Sequence, residues 1–422
     1  MTAKTTSKFR TESDLLGSKE VPEEALYGVQ TTRAIENFHI SGNLMVSYPN
    51  FIKGMAITKK AAALANYEVG MITVQQANAI CQACDELIAG QHHDQFPIDM
   101  IQGGAGTSTN MCANEVIANR ALEIMGYKRG QYEFCSPNDV VNASQSTNDA
   151  YPCAIHMAMF LEHEEFLPHL TQMIDALEKK AKEFAEVIKM GRTQLQDAVP
   201  MTLGQTFSGF AASLRGELRT LNSAAREFLT VNMGATAIGT GICSKPGYSM
   251  ACIKALREIT GWSIHLADNL IEATSATSCM IQYSAAMKRL CIKINKMCND
   301  LRLMSSGPRC GFNEIHLPER QPGSSIMPGK VNPVIPEVMN QVCYKVIGND
   351  MTITFASDNG QLELNVMEPV IAYSLFESIH LLTNGLDTLR KYCIEGIVAN
   401  EERCRKLVEG SIGIVTLLNP II

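Results

Sequence analysis

The sequence has little that would direct it to a membrane or to a nucleic acid. No apolar run approaches the roughly 20 residues of a membrane-spanning helix, and Met1 to Asp14 lack the apolar core of a signal peptide. Long basic runs are absent, and 43 acidic residues outnumber the 36 basic ones, which argues against nucleic acid as the main partner. We therefore expect a cytoplasmic protein with neither a membrane nor a nucleic acid as its partner.

The chain also lacks a recognisable metal or nucleotide motif. Cys81 and Cys84 form a C-x-x-C pair, but the other cysteines of the fourteen provide no second pair at a zinc-like spacing. Positions three apart share one face of a helix, so buried free thiols in a reducing compartment are the favoured interpretation. Gly239 and Gly241 lack the third glycine of a dinucleotide-binding loop. Neither a metal site nor a nucleotide site is predicted.

Strand-like alternation is scarce, whereas helical periodicity is frequent. Three stretches carry apolar residues alternately three and four positions apart, which is the spacing of a coiled-coil seam. They are Phe166 to Ile188, Phe207 to Phe228 and Tyr283 to Met304. Helices of roughly 20–25 residues would be about 30–38 Å long. The sequence therefore predicts an all-α protein with a long central bundle, and the remaining apolar surface favours packing against other copies of the chain.

Changes in predicted helix length and in the apolar pattern along the chain suggest three segments. Shorter helices, at Lys53 to Glu68 and Thr73 to Ala89, belong to a predicted small N-terminal helical domain at 1–147. The bundle occupies the central domain, 148–402. A short helix at Glu401 to Glu409 leads into a third segment at 403–422, where the pattern changes again.

A loop of unusual composition stands at 323–333 within the central domain, and we call it the signature loop. Two glycines, two prolines and a Ser-Ser pair prevent it from continuing a helix. It carries the hydroxyls of Ser324 and Ser325, the ammonium of Lys330 and the amide of Asn332. A surface turn with one lysine is the ordinary interpretation, but this set of groups suits binding a small dicarboxylate and moving one proton.

Three further polar clusters interrupt the helical pattern, at Gly106 to Asn110, Ser144 to Asp149 and Gly191 to Asp197. Taken singly, each is more typical of a helix start or a turn. Together they consist mostly of hydroxyls and amides, which donate to carboxylate oxygens without adding a competing base. Lys330, Arg192 and helix N-termini are expected to supply positive potential for an anion.

In this order, the four polar segments resemble the aspartase/fumarase superfamily of lyases, which release fumarate from a substituted succinate. Within it, residues 191–200, 330–337 and 340–350 are similar to the aspartate ammonia-lyase (aspartase) family. The resemblance implies reversible elimination of ammonia from L-aspartate to give fumarate, without an organic cofactor. It also implies that 403–422 is the first part of a small helical C-terminal domain.

The resemblance further implies a role for each polar residue. Ser324 would be the general base that takes a proton from the carbon beside the β-carboxylate, giving an aci-carboxylate intermediate. Lys330 and neighbouring backbone N–H groups would favour the anionic form of that serine. The β-carboxylate is assigned to Thr107, Ser146, Thr147 and Ser325, the α-carboxylate to Thr193, Lys330 and Asn332, and the amino group to Asn148.

Gln194 separates two members of the superfamily. Fumarase-like chains resemble this one but carry a histidine here, coupled to a glutamate that would correspond to Glu337. Hydroxide is a poor leaving group and needs a general acid, whereas an ammonium group already carries its proton. Glutamine does not titrate, so Gln194 favours deamination over hydration, and we place it among the substrate-contacting residues.

The resemblance also implies an assembly, namely a homotetramer in which three subunits contribute to each active site. Two alternatives remain open at this stage. One is fumarate hydratase. The other is a scaffold that keeps the lyase fold without catalysis.

Overall fold

Twelve α-helices carry most of the chain in the computed structural model, which describes residues 8–418 and 420. In chain order they are α1 Val29–Asn37, α2 Pro49–Glu68, α3 Val74–Ile88, α4 Thr107–Ile124, α5 Thr147–Glu183, α6 Leu203–Arg226, α7 Tyr248–Thr260, α8 Leu270–Ser275, α9 Ser278–Met304, α10 Val334–Asp358, α11 Glu368–Tyr392 and α12 Glu401–Glu409. Within residues 8–418, no helix combines the length and the apolar character needed to cross a bilayer.

The strands of the described part are short and form four two-stranded ladders. They are β1 Phe9–Asp14 with β2 Gly17–Pro22, β3 Ile188–Thr193 with β4 Gln196–Thr202, β5 Thr230–Val231 with β6 His265–Leu266, and β7 Ile315–His316 with β8 Val398–Ala399. Only β5 and β6 pair in parallel. The predicted all-α class is confirmed, with these ladders as additions that the helical periodicity did not reveal.

Most apolar side chains of the predicted seams are buried. In α9 every seam residue is buried, and the set is Tyr283, Met287, Leu290, Ile294, Met297, Leu301 and Met304. The seam of α5 stops earlier than predicted, because the helix ends at Glu183 and Ile188 lies in β3 with 54% of its surface exposed. The apolar residue at 188 continued the helical spacing in the sequence, but it is the exposed first residue of a strand whose next three residues are buried.

The described residues divide into two compact units. Unit 1 comprises 8–163, 224–282 and 351–376, and unit 2 comprises 164–223, 283–350 and 377–418. The division falls inside α5, α6, α9, α10 and α11, so each of these long helices contributes a segment to each unit. The three domains predicted from the sequence, 1–147, 148–402 and 403–422, are continuous segments, whereas each of these units combines several segments. The predicted domain boundaries therefore stay a prediction.

Unit 1 is built on close packing of α2 against α3, α5 and α7. Gly54 lies so near α5 that a Cβ on it would be 2.4 Å from the carbonyl oxygen of Ala154. Small residues at this crossing let the two backbones approach. Beside it, the buried ring of Phe51 contacts those of Tyr151 and Phe376 at centroid distances of 5.7 and 5.0 Å. This core fixes the N-terminal end of α5.

Unit 2 contains segments of all five long helices, joined by side-chain bonds. Its bridging pairs are Lys288 with Asp350, Arg289 with Glu217, His169 with Asp387, and Asn349 with Ser378. These bonds link α9 to α10 and α6, α5 to α11, and α10 to α11. The predicted helical bundle is therefore present in this unit.

The cysteines are free thiols, as predicted. All fourteen lie in the described part of the chain and none forms a disulfide. Cys81 and Cys84 occupy one face of α3, where Cys84 is buried. Burial raises the pKa of the Cys81 thiol to about 11, so this C-x-x-C pair stays protonated and behaves as packing.

Candidate active site

The first polar cluster lies in unit 1, where α4 and α5 begin. Thr107 and Thr147 are the first residues of these two helices. The Asn110 side chain, one turn after Thr107, donates from Nδ2 to Thr147 Oγ1 over 3.3 Å. The structure thus joins the first turn of α4 to that of α5, and it brings together two hydroxyl-bearing segments that are 40 residues apart in sequence.

A short loop at 234–236 holds the turn at Ser146 to Asn148 through the carboxylate of Asp149. Asp149 is fully buried and accepts backbone N–H groups from Ser146 at 2.9 Å, Gly234 at 3.1 Å and Thr236 at 2.9 Å. Burial raises the pKa of Asp149 to about 6, against the opposing effect of these three donors. Asp149 therefore fixes the backbone of the turn rather than facing a substrate.

Asn148 is held by the same loop. Its Nδ2 donates to the carbonyl oxygen of Ala237 over 2.7 Å, and its own carbonyl oxygen accepts from Asn232 Nδ2 over 3.1 Å. The amide donor of Asn148 is used inside the chain. Its Oδ1 is the type of acceptor that an ammonium group needs, which suits the role predicted for this residue.

A buried lysine beneath the turn was not predicted from the sequence. Lys59 on α2 has no exposed surface, and its Nζ donates to Asn142 Oδ1 at 3.0 Å and to Gln145 Oε1 at 2.9 Å. Asn142 Oδ1 also accepts from Asn110 Nδ2. A lysine inside the apolar stretch of α2 was the available signal, since such a residue is almost never fully buried without a partner.

The signature loop lies in unit 2 and is closed at its neck by two hydrogen bonds. The Gly323 N–H donates to the Lys330 carbonyl oxygen over 2.7 Å, and Asn332 Nδ2 donates to the Gly323 carbonyl oxygen over 2.8 Å. Ser325 and Lys330 are exposed, whereas Ser324 is half-buried. The neck therefore presents these groups on a compact turn.

Ser324 has the surroundings of a polarised hydroxyl. Its Oγ accepts the backbone N–H groups of Ile326 at 3.1 Å and Met327 at 3.0 Å. Hydrogen bonds to the charged form of a group favour that form, so two donors aimed at one oxygen stabilise a serine alkoxide. This arrangement matches the expectation that neighbouring backbone N–H groups assist Ser324.

A cavity of about 840 Å³ adjoins the signature loop within unit 2. Lys330 and Asn332 line it, together with Arg302 and His316. Its size falls in the range of small-molecule sites, and its lining carries the positive charges of Lys330 and Arg302 against the one carboxylate of Glu319. The cavity is therefore suited to a small anion.

Thr193 and Gln194 occupy the end of the β3–β4 hairpin, not a break between helices. Gln194 and Leu195 form the two-residue turn with φ of 55° and 62°, a conformation that glycine and asparagine favour in such turns. Two non-glycine residues held in the left-handed region carry a cost in backbone strain. The tip holds Gln194 away from the hairpin's own ladder.

Arg192 does not supply free positive charge, contrary to the sequence-based expectation. Its guanidinium donates to Glu314 Oε1 over 2.9 Å and lies 4.2 Å from the ring centre of Phe312. Glu314 is completely buried, so the pair is a structural ion pair that anchors the hairpin. Glu337, the other charged residue considered, lies in the first turn of α10, where a carboxylate favours the helix dipole.

The predicted site residues thus fall into three groups. Thr107, Ser146, Thr147 and Asn148 belong to unit 1, whereas Thr193 and Gln194 on the hairpin and Ser324, Ser325, Lys330 and Asn332 on the signature loop belong to unit 2. Their individual roles stay predictions. Among residues 8–418, no cluster of three or more His, Cys, Asp or Glu side chains has an arrangement that could hold a metal ion.

Comparison with known proteins places these features in a family. The sequence pattern of a lyase family matches residues 17–348. Aspartate ammonia-lyase from Pseudomonas canavaninivorans is 56% identical over 99% of this chain and 88% of its own length. Aspartate ammonia-lyase from Escherichia coli (strain K12) is 54% identical over 99% of this chain and 87% of its own length.

Solved structures share the fold. The fumarate lyase:delta crystallin from Brucella melitensis bound to cobalt superposes with a TM-score of 0.96 at 50% identity, covering 98% of this chain and 90% of that one. The recombinant class II fumarase from Schistosoma mansoni gives a TM-score of 0.93 at 35% identity, with 98% and 90% coverage. From the matched sequence pattern, the identities and the shared fold, this chain belongs to the lyase family and groups within it with the aspartate ammonia-lyases.

Proposed function

We propose that this chain is an aspartate ammonia-lyase, a carbon–nitrogen lyase that reversibly eliminates ammonia from L-aspartate to give fumarate. Relatives of that name are 54–56% identical to it over nearly its whole length. The observation that carries the chemistry is the environment of Ser324, whose Oγ accepts two backbone N–H groups on a loop beside Lys330. A base of this kind is what removal of a carbon-bound proton requires.

Ser324 removes the proton from the carbon next to the β-carboxylate. The electron pair left on that carbon delocalises into the carboxylate and gives a doubly negative aci-carboxylate. A weak acid such as serine acts as a base only when its anion is stabilised, which the N–H groups of Ile326 and Met327 do here. The Lys330 ammonium adds positive charge to the same loop.

Hydroxyl groups stabilise, by hydrogen bonding, the negative charge that develops on the β-carboxylate. Thr107, Ser146, Thr147 and Ser325 donate to the β-carboxylate, and donors fixed before the reaction lower the barrier most. The bonds that Asp149 makes to the backbone of Ser146 supply this rigidity in unit 1. The α-carboxylate is held by Thr193, Lys330 and Asn332.

Ammonia leaves from the neighbouring carbon as the electron pair forms the double bond of fumarate. The substrate's ammonium is oriented by Asn148 and already carries the proton it departs with. Gln194 contacts the substrate without titrating, so no general acid acts at this position. Hydroxide would need one, which makes the reaction better suited to aspartate than to malate.

Fumarate hydratase is the second candidate, because the class II fumarase of Schistosoma mansoni shares the fold. Gln194 distinguishes the two, as a hydratase would require an acid or an activated water where this chain has an amide. A silent lyase-fold scaffold would leave the polarised Ser324 without a use. Neither a hydratase nor a scaffold would form fumarate from L-aspartate, so fumarate production distinguishes both from the proposed lyase.

The active enzyme in this proposal is a cytoplasmic homotetramer whose sites combine residues from three subunits. Large apolar side chains are exposed along α10, with 58% of Tyr344, 54% of Met351 and 64% of Phe355 accessible in the single chain. Their spacing of seven and four positions places them on one stripe of the helix. A second copy that covers the stripe would remove this surface from water.

The function is tested by the ultraviolet absorbance of fumarate, first with L-aspartate and then with L-malate. We expect fumarate from aspartate, and a loss of roughly 10²–10⁴-fold in kcat in Ser324→Ala, the usual contribution of a general base. Ser263→Ala, an exposed loop serine of unit 1, is the matched control and should retain full activity. Fumarate from malate alone would support the hydratase, and none from either substrate the scaffold.

Sharing of the site is tested by mixing two inactive variants. Thr147→Val removes a hydroxyl in unit 1, and Ser324→Ala removes the base in unit 2. If the two groups of one site come from different subunits, random reassembly restores about a quarter of the sites. Activity that stays at the level of the separate variants would refute site sharing.

A further inference from the structure

Lys59 occupies an unusual position beneath the carboxylate-binding turn of unit 1. Its side chain is completely buried, and both of its hydrogen-bond acceptors, Asn142 Oδ1 and Gln145 Oε1, are amide oxygens. Within the described residues it forms no ion pair. A buried ammonium without a carboxylate in contact is costly, and such a cost is commonly kept where the charge has a use.

The hydrogen bonds of Lys59 lead directly to the turn. Gln145 immediately precedes Ser146, and its Nε2 donates to the carbonyl oxygens of Val141 and Ala143, which fixes its Oε1 toward the ammonium. Asn142 Nδ2 donates to the Gln145 carbonyl oxygen over 3.2 Å. The segment just before Ser146 therefore supplies both acceptors of the Lys59 ammonium.

A second route reaches Thr147. Asn142 Oδ1 accepts from Asn110 Nδ2 at 3.1 Å and from Asn114 Nδ2 at 3.1 Å as well as from Lys59. Asn110 Nδ2 also donates to Thr147 Oγ1. Two amides, those of Asn142 and Asn110, thus lie between the Lys59 ammonium and the Thr147 hydroxyl predicted to hold the β-carboxylate.

We propose that Lys59 is a positioning residue for this site, which holds the turn at Ser146 to Asn148 through Asn142 and Gln145 and supplies the positive charge that favours a doubly charged ligand. The inference rests on the proposed function, because it takes the ligand to be a four-carbon dicarboxylate. Lys59 does not touch the ligand. Its effect is exerted through the amides and through its electric field in a medium of low dielectric.

The groups around Lys59 allow its protonation state to change when a ligand binds. Burial lowers the pKa of Lys59 to about 7, opposed by the Asp149 carboxylate on α5 and the Cys84 thiol on α3, which also face it. Burial holds the pKa of Cys84 well above its usual value, and Asp149 has a pKa of about 6. Near pH 8, Asp149 is ionised and Cys84 is protonated, so Lys59 is the member of this group that can gain a proton.

A dianion bound beside the turn raises the pKa of Lys59, since an opposite charge favours the protonated form. Binding above pH 7 therefore takes up a proton, and affinity falls as the pH rises, by up to about tenfold for each pH unit. A residue that only fills space or donates hydrogen bonds would produce no such slope.

The test uses succinate, a saturated dicarboxylate that has no ammonia to lose, with the full-length protein. Titration calorimetry at pH 8 in buffers of different ionisation enthalpy measures the protons taken up on binding. We expect uptake of about one proton per site. Binding without proton uptake at pH 8 would overturn the proposal, and this measurement needs no variant.

Two variants separate charge from hydrogen bonding. Lys59→Met removes both, whereas Lys59→Gln keeps a donor for Asn142 or Gln145 and removes only the charge. We expect weaker succinate binding with no pH slope between pH 7 and 9 in both variants. A Lys59→Gln protein that keeps the wild-type slope would refute the electrostatic role.

Failure of this proposal is distinguishable from failure of the proposed function. A wild-type protein that converts aspartate to fumarate but binds succinate without proton uptake contradicts only the role of Lys59. A wild-type protein that neither turns over aspartate nor binds succinate contradicts the function itself.

Discussion

Replacing Gly323 by alanine tests whether the neck of the signature loop sets the position of Ser324. A Cβ at this residue would lie 2.3 Å from the carbonyl oxygen of Lys330 and 2.8 Å from its carbonyl carbon. Ordinary contact begins at about 3.4 Å, so the two sides of the neck must separate by roughly 1 Å, a distance that overpacked sites accommodate only by moving backbone.

The expected magnitude follows from that displacement. Overpacking of this kind costs about 1–3 kcal/mol, and a misplacement of about 1 Å at a reacting group lowers the rate by roughly 10²-fold. The first figure is strain in the loop and the second a change in the barrier, where a 10²-fold loss of rate corresponds to about 2.7 kcal/mol. The loop is largely exposed, so the cost should be seen in activity and not in the thermal stability of the whole protein.

Steady-state assays of fumarate formation and thermal unfolding are measured on both Gly323→Ala and Gly329→Ala. Gly329 lies in the same loop with a φ of +72°, but a Cβ there would meet nothing within 4 Å. Its replacement introduces local backbone strain of about 1–2 kcal/mol without a clash, so we expect less than a tenfold loss. If Gly323→Ala lost no more kcat/KM than Gly329→Ala, the neck would not control the base.

Three further predictions concern the stability and assembly of the protein. Burial raises the pKa of Glu368 from 4.5 to about 8, so the native state holds this proton more tightly and stability falls, by up to about 1.4 kcal/mol per pH unit, between those values. Glu368→Gln should remove that dependence, which urea unfolding at pH 5 and pH 8 measures. A variant whose free energy of unfolding changes between these two pH values as much as that of the wild type would contradict the prediction. Phe355→Glu should dissociate the proposed tetramer in light scattering, whereas Leu362→Glu, at a residue 89% exposed in a loop, should not. Leu290→Ala, in the buried seam of α9, should lower the free energy of unfolding by about 2–5 kcal/mol, and a loss below about 1 kcal/mol would show that the seam is not core.

The fold was largely predictable because its helices are long and strongly periodic. The helix predicted at Glu401 to Glu409 begins and ends at those residues, and the one predicted from Thr73 begins one residue later with Thr73 as its capping residue. The β3–β4 hairpin was missed because its strands show little alternation and its turn holds Gln194 and Leu195 instead of glycine or asparagine. Local sequence preference gave no sign of that turn, and tertiary packing stabilises it.

Candidate site residues could be proposed from the sequence where it clusters polar groups, and their roles stay predictions. Clusters of hydroxyls and amides at helix ends can be recognised in the sequence, and the signature loop is the clearest of them. Lys59 could not be assigned in this way, since it lies some 80 residues from the amides it contacts and its burial depends on packing of α2 against the rest of unit 1. Arg192 was misassigned for the same reason, because its partner Glu314 is remote in sequence.

The sequence by itself determined the chemistry available to this protein and the helical class of its fold. Residue type fixes which groups can donate, accept or lose a proton, and apolar spacing fixes which helix face is buried. Only the tertiary structure decided which groups act freely and which are already bound, such as Arg192 with Glu314 and Lys59 with its amides. Charge and reactivity depend on neighbours within a few ångströms, and folding brings those neighbours from distant parts of the chain.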